Sequence, residues 1–136
     1  MQISSGMINY YLRTVVSYAG DIGGAPEDLS EYDRSIISMK QKAERKDDLA
    51  YLRLAIDYLI THTQIDKLIY MGGFYDYDPE ESDELLRYIR FKVWGEDFVA
   101  NPQLVERLEL EDTMSTEWWQ MRGYYNPQSG YYNPQK

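Results

Sequence analysis

Apolar residues recur every three or four positions along most of this chain, which is the period of an amphipathic helix. Near the start, this period predicts a first helix that ends at Gly20 or at the glycine pair 23–24. The same segment is rich in β-branched and aromatic residues, so a strand is the alternative, and it would change the fold class. The apolar positions of this first helix are Ile8, Leu12, Val15, Val16 and Ala19.

Two more helices are predicted before the middle of the chain. One fits residues 30–45, where Ser30 and Asp33 resemble a capping box. Its apolar side comprises Ile36, Ile37, Met39 and Ala43. The other begins at Asp47 or Asp48 and runs into the sixties, and we expect it to be the central element. Residues 65–71 either continue this helix or form a short second one. Its apolar positions are Leu49, Leu52, Ile56, Leu59, Ile60 and Thr63.

The fourth helix has the clearest boundaries. Asp78 suits the N-cap, Pro79 suits the first helical position, and Glu81 completes a capping box. Gly95 is a natural end, so the helix is predicted over residues 79–94, with an inward side of Leu85, Leu86, Ile89 and Val93. Similar but weaker signals predict a shorter helix through residues 102–108 and a last helical turn that begins at residue 115.

Together these segments predict a mainly α protein. The length of 136 residues suits one domain, and 43% hydrophobic with 27% charged residues is typical of a globular chain. We therefore expect a single-domain bundle of about four to six helices over residues 1–117. An extended aromatic C-terminal arm follows over residues 118–136.

The net charge of −9 is concentrated in one part of the chain. Residues 1–73 carry ten acids and eight bases, whereas residues 74–117 carry thirteen acids and four bases. Such a field repels nucleic-acid backbones and attracts basic protein surfaces, so we expect no direct nucleic-acid binding. The predicted acidic face consists of Asp76, Asp78, Glu80, Glu81, Asp83 and Glu84.

The composition excludes several kinds of chemistry. Without cysteine there is no disulfide, no thiolate nucleophile and no cysteine-ligated metal. Residues 76–87 resemble a calcium loop, but Glu81 and Arg87 stand where that loop needs glycine and glutamate. We expect no metal, cofactor, small-molecule substrate or membrane span. The predicted location is intracellular, either in the cytoplasm or within a virus particle.

His62 is the only histidine, so catalysis by a histidine would rest entirely on this side chain. On a helix, Asp66 would lie one turn away and Asp57 would lie on the same element. Because most lone histidines are structural, we expect a protein that is not an enzyme. Catalysis by His62 with Asp57 and Asp66 remains the alternative.

Fourteen of the 136 residues are tyrosine, which is the most unusual feature of the composition. Tyr75 and Tyr77 alternate with acids in a predicted loop. Tyrosine offers a large contact area with few rotatable bonds, so this loop is predicted to contact a partner.

The arm contains the sequence GYYNPQ twice, at residues 123–128 and 130–135. Glycines, Asn-Pro pairs and the lack of aliphatic residues there do not favour folding in isolation. The arm is therefore interpreted as a docking peptide, with a loosely held terminus or an expression artefact as alternatives. Its predicted partner-binding residues are Trp118, Trp119, Tyr124, Tyr125, Tyr131 and Tyr132.

These features favour a non-enzymatic interaction or assembly protein that docks through the aromatic arm and the acidic face. Its partner would be another protein or neighbouring copies of itself, for instance in a viral particle or another large complex. An acidic inhibitor or immunity-type protein, which blocks a basic surface of its target, is the alternative binding function.

Overall fold

In the part of the chain that the structure describes, four α-helices pack together with a 3-10 helix. The computed structural model describes residues 2–62, 70, 75–95 and 109–111. The prediction of a mainly α protein is confirmed for them. In chain order the elements are β1 (Gln2–Ser4), α1 (Ser5–Ile22), the 3-10 helix (Leu29–Tyr32), α2 (Asp33–Arg45), α3 (Leu49–Thr61), α4 (Pro79–Trp94) and β2 (Glu109–Glu111).

The first segment is a helix and not a strand. All five apolar positions predicted for α1 are fully buried, so its apolar period outweighs the strand preference of its β-branched residues. The helix continues through Gly20 and ends before Gly23. Gly23 has a φ of 80°, in the left-handed region that glycine adopts without strain.

The start of α2 differs from the prediction. The capping residue in this region is Asp28 and not Ser30. The carboxylate of Asp28 accepts a hydrogen bond of 2.9 Å from the backbone N–H of Ser30. This cap begins the 3-10 helix, and α2 starts only at Asp33. Ile37, predicted on the apolar side, is 57% exposed. It lies about 100° around the helix from Ile36, away from the buried side.

The four helices share one core. We predicted α3 as the central element, but α2 holds that position because it packs against α1, α3 and α4. The apolar period shows how much of a helix is buried, not how many neighbours the helix contacts. Each fully buried leucine or isoleucine in this core contributes roughly 1.5–3 kcal/mol. The buried residues of α3 are Leu52, Ala55, Ile56, Leu59 and Ile60.

The predicted boundaries of α4 are confirmed at both ends. The helix spans Pro79–Trp94, and both hydrogen bonds of the capping box between Asp78 and Glu81 are present. Gly95 closes the helix with a φ of 69°, and its N–H donates to the carbonyl of Phe91 at 2.7 Å. All four predicted inward residues of α4 are buried.

A pair of strands was not predicted. β1 and β2 pair in parallel, with Gln2 opposite Glu109 and Ser4 opposite Glu111. Three-residue strands are too short to show a period of two. The helices predicted over 102–108 and from 115, and the aromatic arm, lie outside the described residues. Among the helices that are described, none has the length and apolar character needed to cross a membrane.

Candidate functional site

Two acidic segments of the chain meet at the start of α4. Residues 24–32, which form a turn and the 3-10 helix, carry three acids and no lysine or arginine. Residues 75–84 carry six acids and likewise no basic residue. A hydrogen bond of 2.7 Å between the hydroxyl oxygens of Tyr32 and Tyr77 joins the two segments. Negative charge from distant parts of the sequence is therefore gathered in one region.

These segments enclose a small cavity, which we call the acidic pocket. Its volume is about 90 Å³. Its walls combine carboxylates, aromatic rings and apolar surface, and no lysine or arginine is among the described lining residues. The pocket is lined by Glu27, Glu81 and Glu84, by Tyr32 and Tyr77, and by Ala25, Pro26, Leu29 and Leu85.

The capping of α4 positions one wall of the pocket. The Asp78 carboxylate accepts a hydrogen bond from the Glu81 N–H at 2.8 Å, and the Glu81 carboxylate accepts one from the Asp78 N–H at 3.0 Å. Glu81, Glu84 and Leu85 are spaced three and four residues apart, so they lie on one face of α4. The positive end of the helix dipole stabilises carboxylates at this position.

Tyr32 and Tyr77, called the hydroxyl pair below, form the buried wall of the pocket. They are 1% and 3% exposed. Burial raises the pKa of both phenols, and the hydrogen bond between the two hydroxyls raises the pKa of Tyr77 further. Both hydroxyls therefore stay protonated at neutral pH. Tyr77, predicted to contact a partner from a loop, is buried in the wall of the pocket, and its role in partner binding stays a prediction.

Two further tyrosines flank the hydroxyl pair. Tyr75 meets the Tyr77 ring edge to face with centroids 4.8 Å apart, and Tyr18 meets the Tyr32 ring at 5.8 Å. Such contacts contribute about 0.5–1.5 kcal/mol beyond the burial of area. The negative charge of Glu81 raises the pKa of Tyr75. The phenols at this end of the molecule thus lie in a negative field.

The six residues of the predicted acidic face lie close together, but they have different roles. Asp78 and Glu81 form the cap of α4. Asp83 pairs with Arg87 one turn later, with the Nε atom of Arg87 2.8 Å from the carboxylate oxygen. The other three are exposed to solvent: Asp76, Glu80 and Glu84.

Only part of the predicted partner-binding set can be placed. Tyr75 is half-buried beside the pocket, where its ring lies 3.9 Å from the point that a side chain at Gly24 would occupy. The other members of the set lie outside the described residues, and their role stays a prediction. These are Trp118, Trp119, Tyr124, Tyr125, Tyr131 and Tyr132.

His62 and Asp57 make contacts that stabilise helices. The His62 ring stacks on Tyr58 at 4.0 Å between centroids, and its Nδ1 lies 3.0 Å from the Tyr58 carbonyl oxygen at the end of α3. Asp57 accepts a hydrogen bond of 2.6 Å from Nε of Arg90, which links α3 to α4. Asp66, the third residue of the enzyme alternative, lies outside the described residues.

Sequence reasoning missed Glu27 and Tyr32. The segment around Glu27 has the composition of a turn. Tyr32 lies four positions before Ile36, which is the spacing of residues that face a core. Nothing local shows that they meet α4, because 45 residues separate Tyr32 from Tyr77. Three acids within the turn, without any base, are the one available signal.

A second, wider groove lies at the other end of α4. Its volume is about 750 Å³ and it is open to solvent. Arg53 stands there beside two acids, so the groove has no single sign of charge. It is lined by Glu44, Asp47, Leu49, Ala50, Arg53, Leu54 and Trp94.

The acidic side chains that the structure describes do not form a metal centre. Within residues 2–62, 70, 75–95 and 109–111, no three histidine, cysteine, aspartate or glutamate residues are placed to hold a metal ion. Comparisons of the chain with protein-family models, curated proteins and solved structures found no match.

Proposed function

We propose that this is a non-enzymatic binding protein whose acidic face and acidic pocket hold a basic surface of another protein. The observation that supports this proposal is the meeting of residues 24–32 with residues 75–84, two segments with nine acids in total and no base. Separate charged helix ends are ordinary, whereas this arrangement surrounds a cavity. The proposal concerns binding and includes no chemical step.

Electrostatics favours a basic partner. Like charges gathered on one surface raise the local concentration of an oppositely charged partner and its association rate. Exposed acids such as Asp76, Glu80 and Glu84 mainly steer and orient the partner, and salt screens their effect over about 8–10 Å. Binding through this face is therefore expected to weaken as salt increases.

The aromatic arm supplies a second contact in this proposal. Its tyrosines and Trp118 and Trp119 offer the large, rigid area that dominates many protein interfaces. An assembly component would need the arm for association. An inhibitor of a basic target would depend chiefly on the acidic face. Deletion of residues 123–136 separates these two versions by its effect on affinity.

Reversal of one charge tests the proposal. We expect Glu84→Lys to weaken binding to a partner captured from the native host by tenfold or more, because it places a positive charge at the pocket. Glu44→Lys is the matched control, since it makes the same charge change at an exposed helical position outside the pocket. Its effect should be below about twofold.

The affinity of each variant for the purified partner is measured by titration at about 50 and 500 mM salt. This measurement gives both the effect of each substitution and the effect of screening by salt. Equal affinities for the two variants, or an affinity that does not change with salt, would contradict binding through the acidic face.

A further inference from the structure

We propose that the acidic pocket binds the N-terminal ammonium group of a partner polypeptide together with its first carbonyl oxygen. This inference rests on the proposed function, because it names the group of the partner that enters the acidic face. It follows from the charge of the pocket, from its size and from the number of hydrogen-bond donors in its wall.

The charge of the pocket calls for a cation. Glu27, Glu81 and Glu84 line the cavity, and no positive side chain faces them among the described lining residues. Metal ions do not suit this arrangement, since the described acids form no metal-holding group. An ammonium group suits it, because its three N–H donors reach several acceptors at once.

The donors of the hydroxyl pair require an acceptor as well. Two phenols have two hydroxyl protons, and the bond between Tyr32 and Tyr77 uses one of them. In the part of the chain that the structure describes, the other proton meets no protein acceptor. Both tyrosines are almost fully buried and line the cavity, so this proton is available to an occupant. A buried donor left without an acceptor is unfavourable.

These two requirements discriminate between possible cations. The end of a lysine or arginine side chain carries donors only and leaves the hydroxyl proton without an acceptor. A polypeptide N-terminus carries an ammonium group and, three bonds away, a carbonyl oxygen that accepts from the hydroxyl. The cavity of about 90 Å³ has space for only a few small groups, which suits a chain end and excludes a folded loop.

Two small ligands separate the contributions of charge and carbonyl. L-alaninamide has an α-ammonium group and a carbonyl, whereas n-butylamine has the ammonium group alone. NMR titrations near pH 6.5 keep both ligands positively charged. We expect saturable shifts at Tyr32, Tyr77 and Leu85, with alaninamide bound about three- to tenfold more tightly than butylamine.

Two variants test which side chains cause the difference in affinity between alaninamide and butylamine. The double variant Tyr32→Phe with Tyr77→Phe, which removes both hydroxyl protons, should weaken alaninamide binding by about three- to tenfold and butylamine binding by less than about twofold. Glu81→Gln, which keeps an oxygen for the cap, should weaken both ligands. Tyr88→Phe and Glu44→Gln are the matched controls, since neither residue lines the pocket. Either single variant leaves one hydroxyl proton available to the ligand and should have a smaller effect on alaninamide than the double variant.

The results overturn the proposal in either of two ways. Equal affinity of the wild-type protein for both ligands would show that no carbonyl is recognised, and this comparison needs no variant. The lack of saturable binding to either ligand would exclude the pocket as an ammonium site. In both cases the capture experiment with Glu84→Lys still reports separately on the acidic face.

Discussion

Single polar residues in the core act as links between elements. Asp48 is fully buried at the start of α3, and its carboxylate accepts a hydrogen bond of 2.6 Å from the Tyr11 hydroxyl of α1. Arg90 of α4 is 3% exposed, and its guanidinium carbon lies 5.4 Å from the centre of the Trp94 ring. Buried charges need contacts of this kind, because an isolated charge is strongly unfavourable in the interior.

The bond between Tyr11 and Asp48 gives a prediction about stability. Tyr11→Phe keeps the ring and removes one hydrogen bond to a buried carboxylate. We expect the free energy of unfolding to fall by about 1.5–3 kcal/mol, the range for hydrogen bonds to charged groups. Urea unfolding at neutral pH measures this change.

Tyr18→Phe is the control for this prediction. The Tyr18 hydroxyl donates to the carboxylate of Glu31 at 2.7 Å, but this bond is exposed to solvent. Its removal should change stability by no more than about 0.5 kcal/mol. Similar losses in the two variants would show that burial of Asp48 does not set the strength of the bond.

The burial of Asp48 could not be predicted from the sequence. Together with Asp47 it has the pattern of a solvated helix start, and the sequence correctly places the start of α3 there. The tyrosine that contacts it lies 37 residues earlier, and no local pattern reports that distance. When the role of a residue depends on tertiary contacts, the sequence around that residue does not predict it.

Among the elements, α4 was predicted in full because all its signals are local. Its cap, its first-turn proline and its closing glycine stand within the helix or next to it. The predicted start of α2 was wrong because Asp28 and Ser30, two positions apart, are both good capping residues. The pairing of β1 with β2 was missed because it joins Gln2 to Glu109, far away in the chain.

The cap of α4 gives a prediction at the scale of the element. Asp78→Ala removes the oxygen that accepts the N–H of Glu81, and it should lower the free energy of unfolding by about 1 kcal/mol. Asp78→Asn keeps an acceptor and should have a smaller effect. Amide hydrogen exchange in the first turn of α4 should speed up in the alanine variant only.

Asp76→Ala serves as the matched control for the cap. It removes an exposed carboxylate from the same segment without touching the capping box. If Asp76→Ala destabilised the protein as much as Asp78→Ala, the effect would come from lost charge near the helix and not from the cap.

At the scale of the whole molecule, the candidate site is only half visible in the sequence. The run of acids from Asp76 to Glu84 is local and was predicted as an acidic face. The pocket also needs Glu27 and the hydroxyl pair, which the fold brings from another segment. Charge can be seen along the chain, whereas a cavity exists only after the segments have met.

Three tyrosines make the stability of the folded protein depend on pH in the alkaline range. Burial raises the pKa of Tyr32 and Tyr77, while burial and a hydrogen bond to Asp33 raise the pKa of Tyr88 to about 12. In the unfolded chain a tyrosine titrates near about 10. The folded state therefore keeps protons that the unfolded state loses. Stability from these groups is complete below about pH 10 and declines as the pH rises toward the folded values.

We predict a decline of about 1.4 kcal/mol per pH unit for each tyrosine that stays protonated only in the folded state. Urea unfolding between about pH 8 and 11.5 measures it, with tyrosinate absorbance as an independent count of ionised groups. Tyr77→Phe removes one buried phenol, so its stability should decline less steeply than that of the wild type. Constant wild-type stability up to about pH 11 would mean that the buried phenols ionise as easily as exposed ones. The hydroxyl pair would then not be the desolvated wall on which the acidic pocket depends.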